Sequence, residues 1–114
     1  MEIKTGIDLV LDNKFDDKLE NKDFLKTIFH PSELKILNSK KLAGIFALKE
    51  CVFKALNIAS TNWLEIEVTY EKKGKPLVNL SPKIYNKNIT SIDSSISHEN
   101  GSTIGIVIIL LDNK

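Results

Sequence analysis

The sequence predicts a small α+β domain in which one long helix packs on an antiparallel sheet. Three observations predict this class: an alternating apolar segment opens the chain, a long amphipathic segment follows, and four strand-like segments close it. Because the strands follow the helices instead of alternating with them, the order favours α+β over a doubly wound sheet. The 114 residues predict a single domain over residues 1–114, long enough to bury a core.

The first half of the chain predicts one strand and several helices. Residues 3–11 alternate like a strand, with Ile3, Ile7, Leu9 and Leu11 on one face and Lys4, Gly6, Asp8 and Val10 on the other. Residues 14–27 predict one or two short surface helices. The segment 30–33 is typical of a helix start, with proline in the first turn and an acid near the positive end, and predicts a helix to about Leu37. Residues 38–40 then open the long helix, at roughly 41–57.

The second half predicts two hairpins. Leu64–Tyr70 alternates apolar and polar residues, and a turn at 71–75 returns the chain along Pro76–Leu80. The last pair is Ser91–Ser97 with Ser102–Leu111, joined through an Asn-Gly turn. Residues 104–111 are nearly all apolar, which predicts a strand buried on both faces.

Composition restricts the partners of this chain. A net charge of +1 does not indicate nucleic-acid binding, and all sixteen basic residues are lysine, so no arginine is available to hold a phosphate.

The single cysteine, Cys51, excludes an internal disulfide and fits a reducing compartment. The longest apolar run is too short to cross a bilayer, and the first residues lack a signal-peptide pattern. We expect a cytoplasmic protein with neither a nucleic-acid nor a membrane partner.

The long helix carries charged residues on two different faces. At about 100° per residue, Lys49 projects into the apolar arc, whereas Glu50 and Lys54 share another face. An exposed ion pair is the ordinary explanation for Glu50 and Lys54, and an ammonium group reaching water at a domain or subunit edge would explain Lys49. Ala43 and Ala47 would let another group approach the helix closely beside Glu50.

Asp8 lies inside an otherwise apolar strand, where a carboxylate is unfavourable. Gly6, on the same face, leaves space beside it, and the ordinary alternative is an edge-strand aspartate facing water. Taken alone, His98, before the Asn-Gly turn, is best explained as an exposed histidine, and the lysine cluster at 72–75 as a solvated hairpin tip. If Asp8 and Glu50 converge, two carboxylates with lysines nearby predict a site for a metal-bound phosphate.

Five segments form a pattern when they are taken together. They are Gly6–Asp8, Phe46–Lys54, Trp63–Val68, Gly74–Pro76 and Ser95–His98. The combination of Gly-Ile-Asp with Phe-Ala-x-Lys-Glu-x-x-x-Lys is the specific element, whereas Gly-Lys-Pro alone is a weak signal. In order and spacing, over essentially the full chain, the pattern resembles the holo-acyl-carrier-protein synthases, the short bacterial type of 4′-phosphopantetheinyl transferase.

The resemblance implies a Mg²⁺-dependent transferase of that fold. Such enzymes move the 4′-phosphopantetheine group of coenzyme A onto a serine of apo acyl carrier protein and release adenosine 3′,5′-bisphosphate. Asp8 and Glu50 match the residues that bind the metal ion in this family. Mn²⁺ is an alternative to Mg²⁺, because both ions accept oxygen ligands. Glu50 and Lys54 match the catalytic residues of the family. Glu50 would accept the serine proton directly or through a bound water. There are two alternatives to a transferase. One is a non-catalytic module of the same fold that binds coenzyme A or a nucleotide, and the other is a purely structural trimeric subunit.

The resemblance also implies a homotrimer with active sites at subunit boundaries, where Lys49 could also lie. The residues matched to coenzyme A binding are Lys49, Lys75, Pro76, Ser97 and His98; those matched to the acidic carrier protein are Lys18, Lys22 and Lys26.

Three positions depart from the family pattern. Ile45 and Thr27 stand where the family usually has arginine, and His30 stands where it favours a Thr or Ser helix cap. The early lysines supply point charges without the bidentate geometry of arginine. These departures bear on the affinity for the carrier protein and on its identity.

Overall fold

In the computed structural model, which describes residues 1–84 and 88–112, two antiparallel sheets and one long helix form the domain. The elements are β1 (Glu2–Leu11), α1 (Lys22–Leu25), α2 (Ser39–Leu56), β2 (Ile66–Tyr70), β3 (Pro76–Leu80), β4 (Ile89–Glu99) and β5 (Ser102–Leu111), with 3₁₀ turns at Asp16–Lys18 and Trp63–Glu65. The first sheet has the order β1-β5-β4, and β2 and β3 form the second. The predicted α+β class, both hairpins and the long helix are confirmed.

Helix α2 has a defined signal at each end. The side chain of Asn38 accepts a hydrogen bond from the backbone N–H of Lys41 at 3.0 Å, which caps the first turn. Asn57 ends the helix in the left-handed conformation, with φ 56°, and its N–H binds the carbonyl groups of the last turn. In the part of the chain that the structure describes, no helix is both long enough and apolar enough to span a membrane.

The helix lies directly on the backbone of β1 at Gly6. A Cβ atom at Gly6 would stand 1.9 Å from the carbonyl oxygen of Cys51, so no other residue fits there without a shift of the helix. Gly105 on β5 lies opposite Asp8, and a Cβ there would stand 3.4 Å from Cβ of Ala47. The space predicted beside Gly6 is therefore filled by α2 of the same chain.

One contiguous apolar core joins α2 to both sheets. Its fully buried members come from every layer and include Phe15, Leu25, Phe29, Leu42, Ile45, Leu48, Val52, Phe53, Ile66, Val107 and Ile109. The aromatic rings pack edge to face or stacked, with Phe46 stacked on Trp63 at 5.1 Å between ring centroids. Ile45, at a position where the resemblance leads one to expect arginine, is part of this core.

The outer face of the first sheet is apolar and exposed. Ile7 and Leu9 on β1 expose 56% and 67% of their surface, and their partners Ile106 and Ile104 on β5 each expose 38%. The prediction that Ile3, Ile7, Leu9 and Leu11 share one face of β1 is confirmed. The prediction that β5 is buried on both faces is wrong for the single chain, because α2 covers only the inner face.

The predicted helix at 31–37 is also absent. Residues 31–34 form turns, in which the N–H groups of Glu33 and Leu34 bind the carbonyl of His30. Glu33 turns its side chain into the core, and Ile36 and Leu37 remain exposed without a core to cover. A helix here would therefore gain little from tertiary packing, which is the main source of helix stability in proteins.

We expect Gly6→Ala to destabilise the domain strongly, because the new methyl group overlaps the Cys51 carbonyl. The expected loss in the free energy of unfolding is about 3 kcal/mol or more. Gly44→Ala is the matched control: its Cβ would lie 3.4 Å from Ile96, an ordinary contact, and alanine favours the helix by about 1 kcal/mol. Urea unfolding at one protein concentration measures both variants. Equal stability of the two would contradict the close approach of α2 to β1.

Candidate active site

Asp8 and Lys54 form an ion pair between β1 and the last turn of α2. Nζ of Lys54 lies 2.9 Å from Oδ1 of Asp8 and 3.0 Å from the carbonyl oxygen of Ile7. Asp8 projects from the inner face of β1, and its side chain is only 15% exposed. Lys54 therefore pairs with Asp8 and not with Glu50, and the alternative of an aspartate that faces water is wrong. The hydrogen bond that Lys54 donates to Asp8 raises the pKa of Lys54, so the ammonium group stays charged near neutral pH.

Asp8 and Glu50 share one open depression of about 430 Å³, which we call the carboxylate depression. Its lining residues are Asp8, Leu9, Val10, Leu11, Asn13, Lys14, Phe46 and Glu50. The close contact of α2 with β1 brings the two carboxylates to the same depression. Among residues 1–84 and 88–112, no group of three or more His, Cys, Asp or Glu side chains is placed to hold a metal ion.

His98 lies in a second depression, of about 610 Å³, between the start of α2 and the β2–β3 turn. We call it the histidine depression; its lining residues are Ile36, Asn38, Lys40, Lys41, Gly44, Tyr70, Gly74, Pro76, Ile96 and His98. Two of the predicted coenzyme A contacts, Pro76 and His98, line this depression. Lys40 and Lys41, which the sequence analysis did not single out, line it as well. None of its lining residues is shared with the carboxylate depression.

Two other predicted substrate contacts, Lys75 and Ser97, lie outside both depressions. The ammonium group of Lys75 binds β4, with 2.9 Å to Oδ1 of Asp93 and 2.9 Å to the carbonyl oxygen of Ser94. Ser97 lies on the exposed face of β4, because successive residues of a strand point to opposite sides and His98 takes the inner side. The structure therefore does not bring Lys75 or Ser97 together with His98.

A hydrogen-bond chain links His98 to residues that the sequence analysis missed. Nδ1 of His98 lies 2.7 Å from Oγ1 of Thr103, whose hydroxyl group donates to Oδ1 of Asp12. The signal for Thr103 was present, because a two-residue Asn-Gly turn at 100–101 fixes His98 opposite Thr103. Both turn residues have positive φ, 47° and 78°, as this turn type requires.

Lys49 is fully buried, and its ammonium group is held by three acceptors. Nζ lies 2.8 Å from Oε1 of Glu33, 2.7 Å from the carbonyl oxygen of Ile28 and 3.3 Å from that of Trp63. This burial contradicts the predicted contact between Lys49 and coenzyme A, because the ammonium group has no exposed surface and no proton left to donate. It also contradicts the alternative of an ammonium group that reaches water. Burial lowers the pKa of Lys49, and Glu33 opposes that shift.

Glu33 was not recognised from sequence as the partner of Lys49. Its Oε1 accepts bonds from Lys49 and from the backbone N–H of His30, and its Oε2 accepts one from the N–H of Val68 at 2.7 Å. The available signal was Lys49 itself, because a lysine whose ammonium group is buried in an apolar arc needs a carboxylate partner. The sequence did not indicate which carboxylate takes that role.

Cys51 follows Glu50 on α2, and its side chain is fully buried. Its Sγ atom donates to the carbonyl oxygen of Gly105 at 3.2 Å. Burial, followed by the charge of Asp8, raises the pKa of the thiol to about 12, so the group stays protonated.

The predicted carrier-binding lysines lie around α1. Lys22 and Lys26 line a third depression of about 480 Å³, whose other lining residues are Leu25, Phe29, His30, Pro31, Leu34, Leu37 and Leu64. Lys18 lies nearby, with its Nζ 5.5 Å from the centroid of the Phe24 ring. Thr27 caps a local turn through its hydroxyl group, and the side chain of His30 binds the carbonyl oxygen of Leu64 at 2.6 Å.

Residues 4–107 match the family model of the 4′-phosphopantetheinyl transferase superfamily, and the chain belongs to this superfamily. Within it, the chain is similar to proteins named holo-[acyl-carrier-protein] synthase. The Campylobacter jejuni (strain 81116) protein is 34% identical over 115 residues, covering 95% of this chain and all of the relative. The Helicobacter pylori (strain 26695) protein is 36% identical over 97 residues, covering 80% and 82%.

The fold is similar to a solved structure of that family. The crystal structure of the Helicobacter pylori holo-[acyl-carrier-protein] synthase in complex with coenzyme A superposes with a TM-score of 0.80 at 33% identity. The match covers 93% of this chain and 99% of that chain. The family resemblance predicted from the five sequence segments is confirmed.

We expect Lys49→Met to reduce the free energy of unfolding by about 3–5 kcal/mol, because it leaves the carboxylate of Glu33 buried without a counter-charge. Lys40→Met, at an exposed position of the same helix, is the control and should change stability by less than about 0.5 kcal/mol. Urea unfolding measures both, and Glu33→Gln combined with Lys49→Met should recover part of the loss. A cost for Lys49→Met no larger than that for Lys40→Met would contradict the buried pair.

Proposed function

We propose that this protein is a holo-acyl-carrier-protein synthase. It transfers the 4′-phosphopantetheine group of coenzyme A to a serine of apo acyl carrier protein and releases adenosine 3′,5′-bisphosphate. The observation that carries the proposal is the convergence of Asp8 and Glu50 on one depression, with the ammonium group of Lys54 bound to Asp8. Membership of the superfamily and the similarity to a coenzyme A complex support the same reaction.

The two carboxylates fit Mg²⁺. In the described part of the chain they are not joined by further His, Cys, Asp or Glu ligands, and Mg²⁺ characteristically takes one or two carboxylates and completes its shell with phosphate oxygens and water. Mn²⁺ accepts the same oxygen ligands. Asp8 and Glu50 would hold the ion, and its role when bound is to neutralise charge on the pyrophosphate.

Lys54 and Glu50 supply the remaining chemistry from this chain. Coenzyme A carries about four negative charges near neutral pH, which repel an attacking serine oxygen until they are compensated. The charged Lys54 ammonium, fixed by Asp8 and by the carbonyl of Ile7, compensates part of that charge. Glu50 accepts the serine proton, either directly or through a water molecule. His98, beside Lys40 and Lys41, contacts a phosphate of the nucleotide portion.

We further propose that the active site forms between subunits of a homotrimer. Within one chain, Glu50 lines the carboxylate depression whereas His98 and Pro76 line the separate histidine depression. The exposed apolar face of the first sheet gives a surface for self-association, since large contiguous apolar patches are uncommon on monomers. We propose that subunits associate through this face and that the carboxylate depression of one subunit meets the histidine depression of the next.

The carrier protein is proposed to dock on the third depression. Lys22 and Lys26 lie at an apolar surface that contains Leu34 and Leu64, which suits an acidic partner with an apolar helix face. Binding through lysine charges weakens as salt increases. A KM for the carrier that does not change with ionic strength would contradict this surface.

The principal test is intact-mass spectrometry of apo acyl carrier protein incubated with the protein, coenzyme A and Mg²⁺. We expect a mass gain of one phosphopantetheine that is lost with EDTA. Asp8→Asn and Glu50→Gln should reduce kcat/KM by about 10²–10⁴, and Lys54→Met by about 10²–10³. Glu2→Gln and Lys4→Met, which alter an exposed ion pair on the same strand, are matched controls with little expected effect. Coenzyme A binding without transfer to any carrier would support the non-catalytic module instead.

The oligomeric state is tested by light scattering coupled to gel filtration. We expect a trimer for the native protein and dissociation for Ile106→Lys, which places a charge in the centre of the exposed sheet face. Leu37→Lys, another exposed apolar residue away from that sheet, is the control and should leave the mass unchanged. Loss of transfer should accompany dissociation. A monomeric native protein with full transfer activity would contradict the shared site.

A further inference from the structure

The hydrogen-bond chain at His98 ends on a side chain that is itself held in place. The backbone N–H of Asp12 binds the carbonyl of Gly101 at 2.8 Å, and its own carbonyl accepts from Oγ of Ser39 at 2.9 Å. These contacts tie the residue after β1 to the β4–β5 turn and to the start of α2. The Asp12 carboxylate is therefore presented to Thr103 in a fixed position.

The chemistry of the three side chains fixes the direction of each hydrogen bond. A hydroxyl group carries one proton, and an ionised carboxylate only accepts, so Thr103 donates its proton to Asp12. Oγ1 of Thr103 can then only accept, and the proton between it and His98 must belong to Nδ1. Thr103 is fully buried, so water does not compete for its hydroxyl group.

Burial alone does not require a hydroxyl group at position 103. Valine has nearly the same shape, is favoured in strands, and would avoid placing a polar atom in the interior. The hydroxyl group of Thr103 therefore has a specific use, which is to connect Asp12 with His98.

We propose that Asp12 and Thr103 are positioning residues for His98. They hold the ring with Nδ1 protonated, so that Nε2 is the nitrogen available to an anionic phosphate ligand in the histidine depression. When the ring carries its second proton, Nε2–H donates to a phosphate oxygen. The carboxylate of Asp12, 4.0 Å from Nδ1, then balances the charge of the imidazolium. The identification of that ligand with coenzyme A rests on the proposed function.

The proton arrangement is tested by ¹⁵N NMR of the full-length protein, at a pH where both histidine rings are neutral. His98 should show a protonated Nδ1 and an unprotonated Nε2. His30 is an internal control with the opposite form, because its Nε2 lies 2.6 Å from the carbonyl oxygen of Leu64 and must donate. In Thr103→Val the His98 signals should move toward the Nε2-protonated form, whereas Thr103→Ser should keep the native pattern. Unchanged His30 signals show that each variant is folded.

Kinetics provide the second readout. Thr103→Val should raise the KM for coenzyme A about 5- to 10-fold with little change in kcat, as expected for one lost hydrogen bond, and Thr103→Ser should restore it. A neutral His98 protonated on Nε2 in the native protein, or an unchanged KM in Thr103→Val, would overturn the proposal. If the native protein transfers nothing, the proposed function fails, and the NMR pattern still decides the positioning of His98.

Discussion

The contact between Gly6 and the carbonyl group of Cys51 is the constraint on which the rest of the structure depends. Because no Cβ separates them, α2 lies against the backbone of β1 instead of against a layer of side chains. Asp8, two residues along the strand, then meets the helix where Glu50 and Lys54 emerge. The grouping of charges at the candidate active site is a geometric consequence of this approach.

Local patterns in the sequence predicted most of the fold. Helix α2 and the β4–β5 hairpin carry their own signals, namely Asn38 at the helix start and Asn-Gly at 100–101. The two errors in the predicted fold, the helix at 31–37 and the burial of both faces of β5, both depend on contacts between distant parts of the chain. The segment 31–37 has helix-start residues, but its Glu33 is drawn into the core by Lys49. The apolar outer face of β5 suggested burial, whereas only one layer of this chain covers the sheet.

Of the candidate site, the sequence predicted only those residues whose charge is unusual in an apolar segment. Asp8 and Lys49 both stood out as charges in apolar surroundings, yet one belongs to the carboxylate depression and the other to a buried structural pair. The difference between these roles lies in the partner, and partners come from distant parts of the chain. Thr103 was missed because a threonine in a strand is unremarkable until the side chains behind it are known.

The buried thiol of Cys51 has a chemical consequence for a protein proposed to bind coenzyme A, which itself carries a thiol. Exchange between thiols and disulfides requires an accessible thiolate, and Cys51, with a pKa of about 12 and no exposed surface, provides none. This chain therefore offers no thiolate that could attack a coenzyme A disulfide. The protein can handle a thiol substrate without becoming covalently trapped by its oxidised form.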